Sequence, residues 1–260
     1  MKKVWKLSNE SLLVLALACT VFCQLFLILK FTGPINSILF LNLGFSDFMA
    51  TVIDNAFAII SIILLGIYIL KKNIYSMSFI SLWLLLIPVS ILFLHSSFGY
   101  TIMIGAHAAR WMLPISLVFF TLKKNEIAES VLRIAIASTF VFHGLEAWWQ
   151  HPNFADYIYT FFSYFNIEIS SDTLVRNFLY IIAVADFLSA ALIVLNNNRY
   201  ALWYALIWGF ITAFFRVFYY GDLGIVEFFI RAPHFLIPIY LLKLNYKFKF
   251  SPEENLAWQN

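Results

Sequence analysis

The sequence predicts an all-α, polytopic membrane protein: an eight-helix bundle made of two tandem four-helix repeats, 1–124 and 125–260. Three observations predict it. Of 260 residues, 62% are hydrophobic and 12% charged, which leaves too little polar surface to cover a core in water. Apolar runs of about 20 residues, the length that crosses a hydrocarbon layer roughly 30 Å thick, recur along the whole chain. Finally, AHAARWMLPISL and RAPHFLIPIYLL carry His107 and Arg110 before Pro114, and Arg231 and His234 before Pro238. Each half keeps one His and one Arg, with the two exchanged.

The predicted spans are 12–31, 50–70, 76–95, 101–122, 128–149, 174–195, 200–219 and 225–243. The first follows MKKVWK, which imitates a secretory signal, but the apolar run continues past Cys19 through TVFCQLFLIL and no small-residue cleavage site leads into polar sequence. It is read as an uncleaved transmembrane helix. Cys19 and Cys23 lie one turn apart in its middle and are read as packing residues. The second and sixth spans are each followed by a short turn, KKN or NNNR. The third and seventh open with matching segments, NIYSMSFISLWLLL and NRYALWYALIWGF. The segments FTGPINSILFLNLGFSD and QHPNFADYIYTFFSYFNIEISSD follow the first span of each half and are expected to lie at the outer interface, where Tyr and Trp concentrate.

Charge sets the expected orientation, because Lys and Arg favour cytoplasmic loops. With eight alternating spans, Lys2, Lys3, Lys6, Lys71, Lys72, Lys123, Lys124, Arg199, Lys243, Lys247 and Lys249 share one side, whereas Asp156, Glu168, Asp172 and Asp222 lie on the other. Both termini are then cytoplasmic, and the expected location is the bacterial inner membrane. The net charge of +3 reflects this topology, and no nucleic-acid partner is expected. Two units of four spans share one orientation, so a pseudo-twofold axis along the membrane normal is expected.

Ionisable side chains inside apolar helices cost roughly 2.5 to 3.5 kcal/mol each on insertion scales, which makes them the natural markers of a site. Counting depth at about 1.5 Å per residue places His107, Arg110, His143, Glu146, Arg216, Arg231 and His234 in the outer half, together with Asp54 and His95, and Asp186 deeper. Glu227, Arg231 and His234 fall at i, i+4 and i+7, one helical stripe. One reading is a closed interhelical network in which carboxylates and arginines pair. The favoured reading is a polar cavity open to the outside. A quinone would find donors in His107, His143, His234, Arg110 and Arg231, with Glu146, Asp186 and His143 as proton carriers. A b-type haem between His107 and His234 is a weaker expectation. An anionic solute or lipid headgroup held by Arg110, Arg216 and Arg231 is the third. No metal site is assigned, since His143, Glu146 and His151 form only a weak zinc set.

The stretch 131–242, with Arg133, FHGLEAW containing Gly144, QHPNF and IIAVADFLSAALIVL, resembles the DoxX-like family of small four-helix membrane proteins. The first half matches only through the internal repeat, with Cys23 in the place of His143. Some members of that family are associated with quinone-linked sulfur oxidation or with thiol and oxidative-stress systems. The resemblance therefore implies a quinone-interacting or accessory component of membrane redox chemistry, with a membrane redox partner. The alternative expectation is a binder or carrier of an anionic solute or lipid, or a structural membrane subunit.

Overall fold

A computed structural model describes residues 9–95, 98–169 and 171–250, with side chains placed over 10–95, 100–169 and 171–245. Lys2, Lys3 and Lys6, and the side chains of Lys247 and Lys249, fall outside the described residues. All regular structure among the described residues is helical.

The first half begins with α1 (Asn9–Lys30) and α2 (Pro34–Leu41), whose first position is proline, the residue that needs no helical donor there. Next comes α3 (Asp47–Lys71), where the Ser46 hydroxyl accepts from the Met49 N–H and the chain leaves through left-handed Lys72. Helix α4 (Ile74–Leu94) is capped by Asn73, whose side chain accepts from the Tyr75 and Ser76 N–H groups. Three short helices follow: α5 (Phe98–Thr101), α6 (Met103–Ala106) and α7 (Ala108–Thr121).

The second half follows the same order. It comprises α8 (Asn125–Trp148), α9 (Pro152–Tyr164), α10 (Asp172–Asn196), α11 (Arg199–Tyr219), a 3-10 turn at Gly221–Leu223, α12 (Gly224–Ile230) and α13 (Ala232–Phe250). Helices α3 and α10 are both 25 residues long, and α4 and α11 both 21. Left-handed Asn197 and the capping Asn198, which accepts from the Tyr200 and Ala201 N–H groups, repeat Lys72 and Asn73.

Among the described residues, seven helical segments are long and apolar enough to cross a membrane: Glu10–Lys30, Asp47–Lys71, Ile74–Leu94, Asn125–Trp148, Asp172–Asn196, Arg199–Tyr219 and Gly221–Asn245. The expected span 101–122 differs. It is broken at Ile102 and His107, so its longest piece is the 14-residue α7. The two interfacial segments are also more regular than expected, each forming a proline-initiated helix, α2 or α9.

The halves interlock. Helix α1 packs chiefly along α13, and α7 chiefly along α8, so the first helix of each half lies against the last helix of the other. One apolar core results, with Leu13 and Leu17 of α1, Leu113 and Leu117 of α7, Leu132 and Ile136 of α8, and Ile237 and Leu241 of α13 in a single cluster. The outward faces are apolar too. Phe22, Leu29, Ile63, Phe93, Ile181 and Leu188 are exposed, the surface expected where lipid is the solvent.

One end of the bundle is tied by polar contacts. The Tyr68 hydroxyl donates to Glu10 Oε1 at 3.1 Å and lies 3.2 Å from Thr121 Oγ1, while Lys72 pairs with Glu10. The start of α1 and the ends of α3 and α7 therefore meet, bringing Lys72 and the Lys123–Lys124 turn to one end of the molecule. Asn197 and Asn245 join there in the second half, with Asn197 Nδ2 donating to Asn245 Oδ1 at 2.7 Å.

Candidate functional site

The site is built around two helix breaks. His107, between α6 and α7, has φ −95° and ψ 8°, while Arg231, between α12 and α13, has φ −95° and ψ 9°. At each break the residue three positions on closes a tight turn: the Arg110 N–H donates to the His107 carbonyl, and the His234 N–H to the Arg231 carbonyl, both at 2.9 Å. The reason for a break is visible at the position two residues beyond it. Pro233 has no N–H to donate. Its counterpart Ala109 has one and sends it out of the helix to Thr139 Oγ1 at 3.0 Å. Thr139 belongs to α8. At the other break Thr20 of α1 donates to the Ile230 carbonyl at 3.2 Å. Hydroxyls of neighbouring helices thus satisfy backbone groups that lipid would leave bare.

The breaks turn ionisable side chains inward. Arg110 and His234 are 7% and 3% exposed, and Arg216, from the C-terminal part of α11, is 6% exposed. Arg216 Nη1 donates to the Thr212 carbonyl at 2.7 Å, and its guanidinium lies 4.7 Å from the ring centroid of Tyr157 on α9. Arg231 Nη1 donates to Glu227 Oε2 at 2.5 Å and to the Glu227 carbonyl at 3.0 Å. Arg110 lies within electrostatic reach of Arg231, Glu227 and Arg216. His107 is close enough to feel Arg110, Arg231, His143 and Arg216. The residues named from the sequence as ligand-binding are therefore brought together.

Among the described residues, the expected pairing of carboxylates with arginines is met once only. Glu227 pairs with Arg231, whereas Glu146 binds His143 Nδ1 at 2.6 Å and Asp186 accepts from the Tyr204 hydroxyl at 2.7 Å. The result is an unclosed network: Nε of Arg110, Arg216 and Arg231 and Nε2 of His234 are buried with no hydrogen-bond partner. Asp54 and His95 stand apart from it. Asp54 Oδ2 accepts from the Asn36 N–H at 3.3 Å in the first turn of α2, and His95 stacks on Tyr100 at 4.2 Å.

Beside this cluster, within the second half, lies a narrow pocket of about 40 Å³. Its polar side chains include His143, Asp186, Arg216, Arg231 and His234, and its walls include Phe140, Phe154, Leu179, Ile182, Trp208 and Phe215. The rings of His143 and His234 are 5.7 Å apart. Gly209 shapes the wall, because a β-carbon there would sit 2.8 Å from the His234 carbonyl oxygen and push α11 off α13. His107 and Arg110 are not among the lining residues, so this pocket does not lie between His107 and His234. Among the described residues no group of three or more His, Cys, Asp or Glu side chains is placed to hold a metal ion, and His143, Glu146 and His151 are not gathered into one.

No family model, curated protein or solved structure matches the chain.

Sequence reasoning missed several participants. Tyr157 came from an interfacial segment and was read as an interface residue, yet it covers Arg216 and its hydroxyl lies 3.2 Å from that of Tyr220. Tyr204 and the two threonines were also missed. Their signal was present in the sequence: hydroxyls within apolar helices need partners.

Proposed function

We propose that this chain binds an anionic ligand in the outer half of its membrane bundle. The carrying observation is the charge balance of the cluster, in which Arg110, Arg216 and Arg231 share a single carboxylate, Glu227. Like charges buried together without counterions are costly, and an anion seated between guanidinium groups offsets that cost with charge-assisted hydrogen bonds. The free Nε and Nε2 atoms supply the donors. The proposal includes eight crossings in two tandem four-helix units, both termini cytoplasmic, in a bacterial inner membrane. The repeated caps, the matched breaks and the gathering of Lys72 with the Lys123–Lys124 turn at one end support that topology.

Thermal unfolding of the detergent-purified protein tests the ligand reading. At constant ionic strength, inorganic phosphate raises Tm saturably relative to chloride, and Arg216→Gln removes the rise. Equal Tm in phosphate and chloride for the unmodified protein sinks it.

A second reading has its own support. His143 with Glu146, and Asp186 with Tyr204, are two pairs of a hydrogen-bond donor and an acid at an aromatic-walled pocket. A quinone ring fits such walls, and the DoxX-like resemblance of the second half points the same way. Here the protein is a quinone-interacting component with a membrane redox partner. Extraction and assay of quinone from the purified protein, with spectra before and after dithionite, separates this reading from the first.

A further inference from the structure

We infer that the narrow pocket is the seat of a free oxyanion of sulfate or phosphate size, and that Glu227 is the group this ligand displaces from Arg231 as it enters. This rests on the anion reading and adds to it the size of the ligand and its way in. The first reason is convergence. Gly224 lies against Val217 and Gly209 against His234, so α11 runs antiparallel to α12 and α13, and Arg231 stands level with Thr212. Arg216 folds back by one turn to the same level, where its Nη1 donates to the Thr212 carbonyl at 2.7 Å. Both guanidinium groups line the pocket together with His234. Their Nε atoms, and Nε2 of the His234 ring, are buried without partners. Unmet nitrogens on side chains around one space suit a ligand that only accepts hydrogen bonds. Asp186, the one carboxylate among the lining residues, is held by Tyr204. Tyr204 precedes Thr212 by eight residues, about 12 Å along the helix, which keeps that acid away from the arginines.

The second reason is room. A water molecule needs about 10–15 Å³ of cavity, so a pocket of about 40 Å³ takes about three or four oxygen-sized groups. A free sulfate or phosphate, with four oxygens around one atom, is of that size. An ester of either carries a further carbon skeleton for which the pocket has no space.

The third reason is a second space beside the first. A groove of about 380 Å³ runs between the end of α1 and the turn after α11, lined by Phe31, Thr32, Tyr220, Leu223 and Glu227 among others. Two contacts join groove and pocket, each with one residue in each space. Arg231 Nη1 donates to Glu227 Oε2 at 2.5 Å, and the hydroxyls of Tyr157 and Tyr220 are 3.2 Å apart. Tyr157 also covers Arg216. The Glu227 side chain is 20% exposed, so rotation toward the groove gives its carboxylate back to water and frees Arg231 on the pocket side. A carboxylate is itself a compact oxyanion. Glu227 thus holds the ligand's place on Arg231 until a ligand comes through the groove.

Calorimetric titration of the detergent-purified protein at constant ionic strength tests the seat. Sulfate binds saturably, and glycerol phosphate, a bulkier ester, binds at least tenfold more weakly. Thr212→Met fills the pocket while leaving every charge in place, and it weakens sulfate at least tenfold. Carbodiimide labelling of the unmodified protein, read by peptide mass spectrometry, tests the way in. Sulfate releases Glu227 toward the groove and raises its labelling at least twofold, whereas a ligand that merely covers the cluster lowers it. Glycerol phosphate bound as tightly as sulfate, or sulfate affinity unchanged in folded Thr212→Met, overturns the seat. Unchanged or lowered labelling of Glu227 in saturating sulfate overturns the displacement. Stabilisation by phosphate alongside any of these results leaves the anion reading standing, and the absence of binding by both sulfate and phosphate removes both.

Discussion

His107 and Arg231 occupy the same backbone conformation, within one degree in ψ, at helix breaks 124 residues apart. Their side chains differ in charge and shape, so the side chain does not dictate the break. What the two places share is a missing helical donor two residues later, by chemistry at Pro233 and by diversion to Thr139 at Ala109. The break also explains how one His and one Arg from each half reach a common depth. At each break the hydroxyl of a helix from the opposite half bonds the backbone, Thr139 at the first and Thr20 at the second.

Thr139 is the partner that holds the first break open. Thr139→Val leaves the buried Ala109 N–H unsatisfied, which costs about 1–3 kcal/mol. Ala109→Pro removes that N–H and copies the chemistry of the second break. The double variant Ala109→Pro with Thr139→Val is therefore more stable than Thr139→Val alone. Unfolding midpoints of the three proteins in one detergent check this, and a double variant less stable than Thr139→Val removes the account of the break.

The paired caps give a separate test of the duplicated plan. Asn73 and Asn198 each accept two backbone N–H groups, at 2.9 and 3.2 Å and at 2.8 and 3.3 Å. Replacing either with alanine lowers stability by about 1 kcal/mol. Similar losses from Asn73→Ala and Asn198→Ala are expected in denaturant titrations, and a loss at one position only shows that the two turns are not equivalent.

Much of this was legible in the sequence, for reasons particular residues make plain. The membrane class follows from composition, and the two His/Arg/Pro motifs are readable because proline fixes the register of the comparison. The cluster was found because ionisable groups in apolar helices are expensive wherever they occur. The crossing of α1 to α13 and of α7 to α8 was not legible, since all the faces involved are equally apolar and pairing choice depends on packing between distant segments. Nor was the partnering of acids. Spacing at i, i+4 gave Glu227 with Arg231 and spacing at i, i+3 gave His143 with Glu146, but Asp186 found Tyr204 on another helix. Arg110 and Arg216 have no carboxylate of their own, although a general pairing of carboxylates with arginines was expected.

Sidedness is the next test. Lys72 and Arg199 follow the matching helices α3 and α10. Single cysteines placed at these positions, in a background with Cys19 and Cys23 replaced by alanine, label from the same side of inside-out vesicles. Labelling from opposite sides removes the parallel duplication and with it the eight-crossing topology.

The sharpest test of the charge cluster is Glu227, its one carboxylate. Glu227→Gln keeps the size of the side chain and removes the charge that Arg231 contacts and that Arg110 and Arg216 feel. Breaking one side of a buried pair costs about 3–5 kcal/mol, because an uncompensated charge remains. The double variant Glu227→Gln with Arg231→Gln restores the balance and recovers part of the loss. Added phosphate stabilises Glu227→Gln more than the unmodified protein, since an external anion takes over the role of the missing carboxylate. If Glu227→Gln unfolds like the unmodified protein and phosphate has no larger effect on it, the three arginines are not held by charge balance and the anion site loses its foundation.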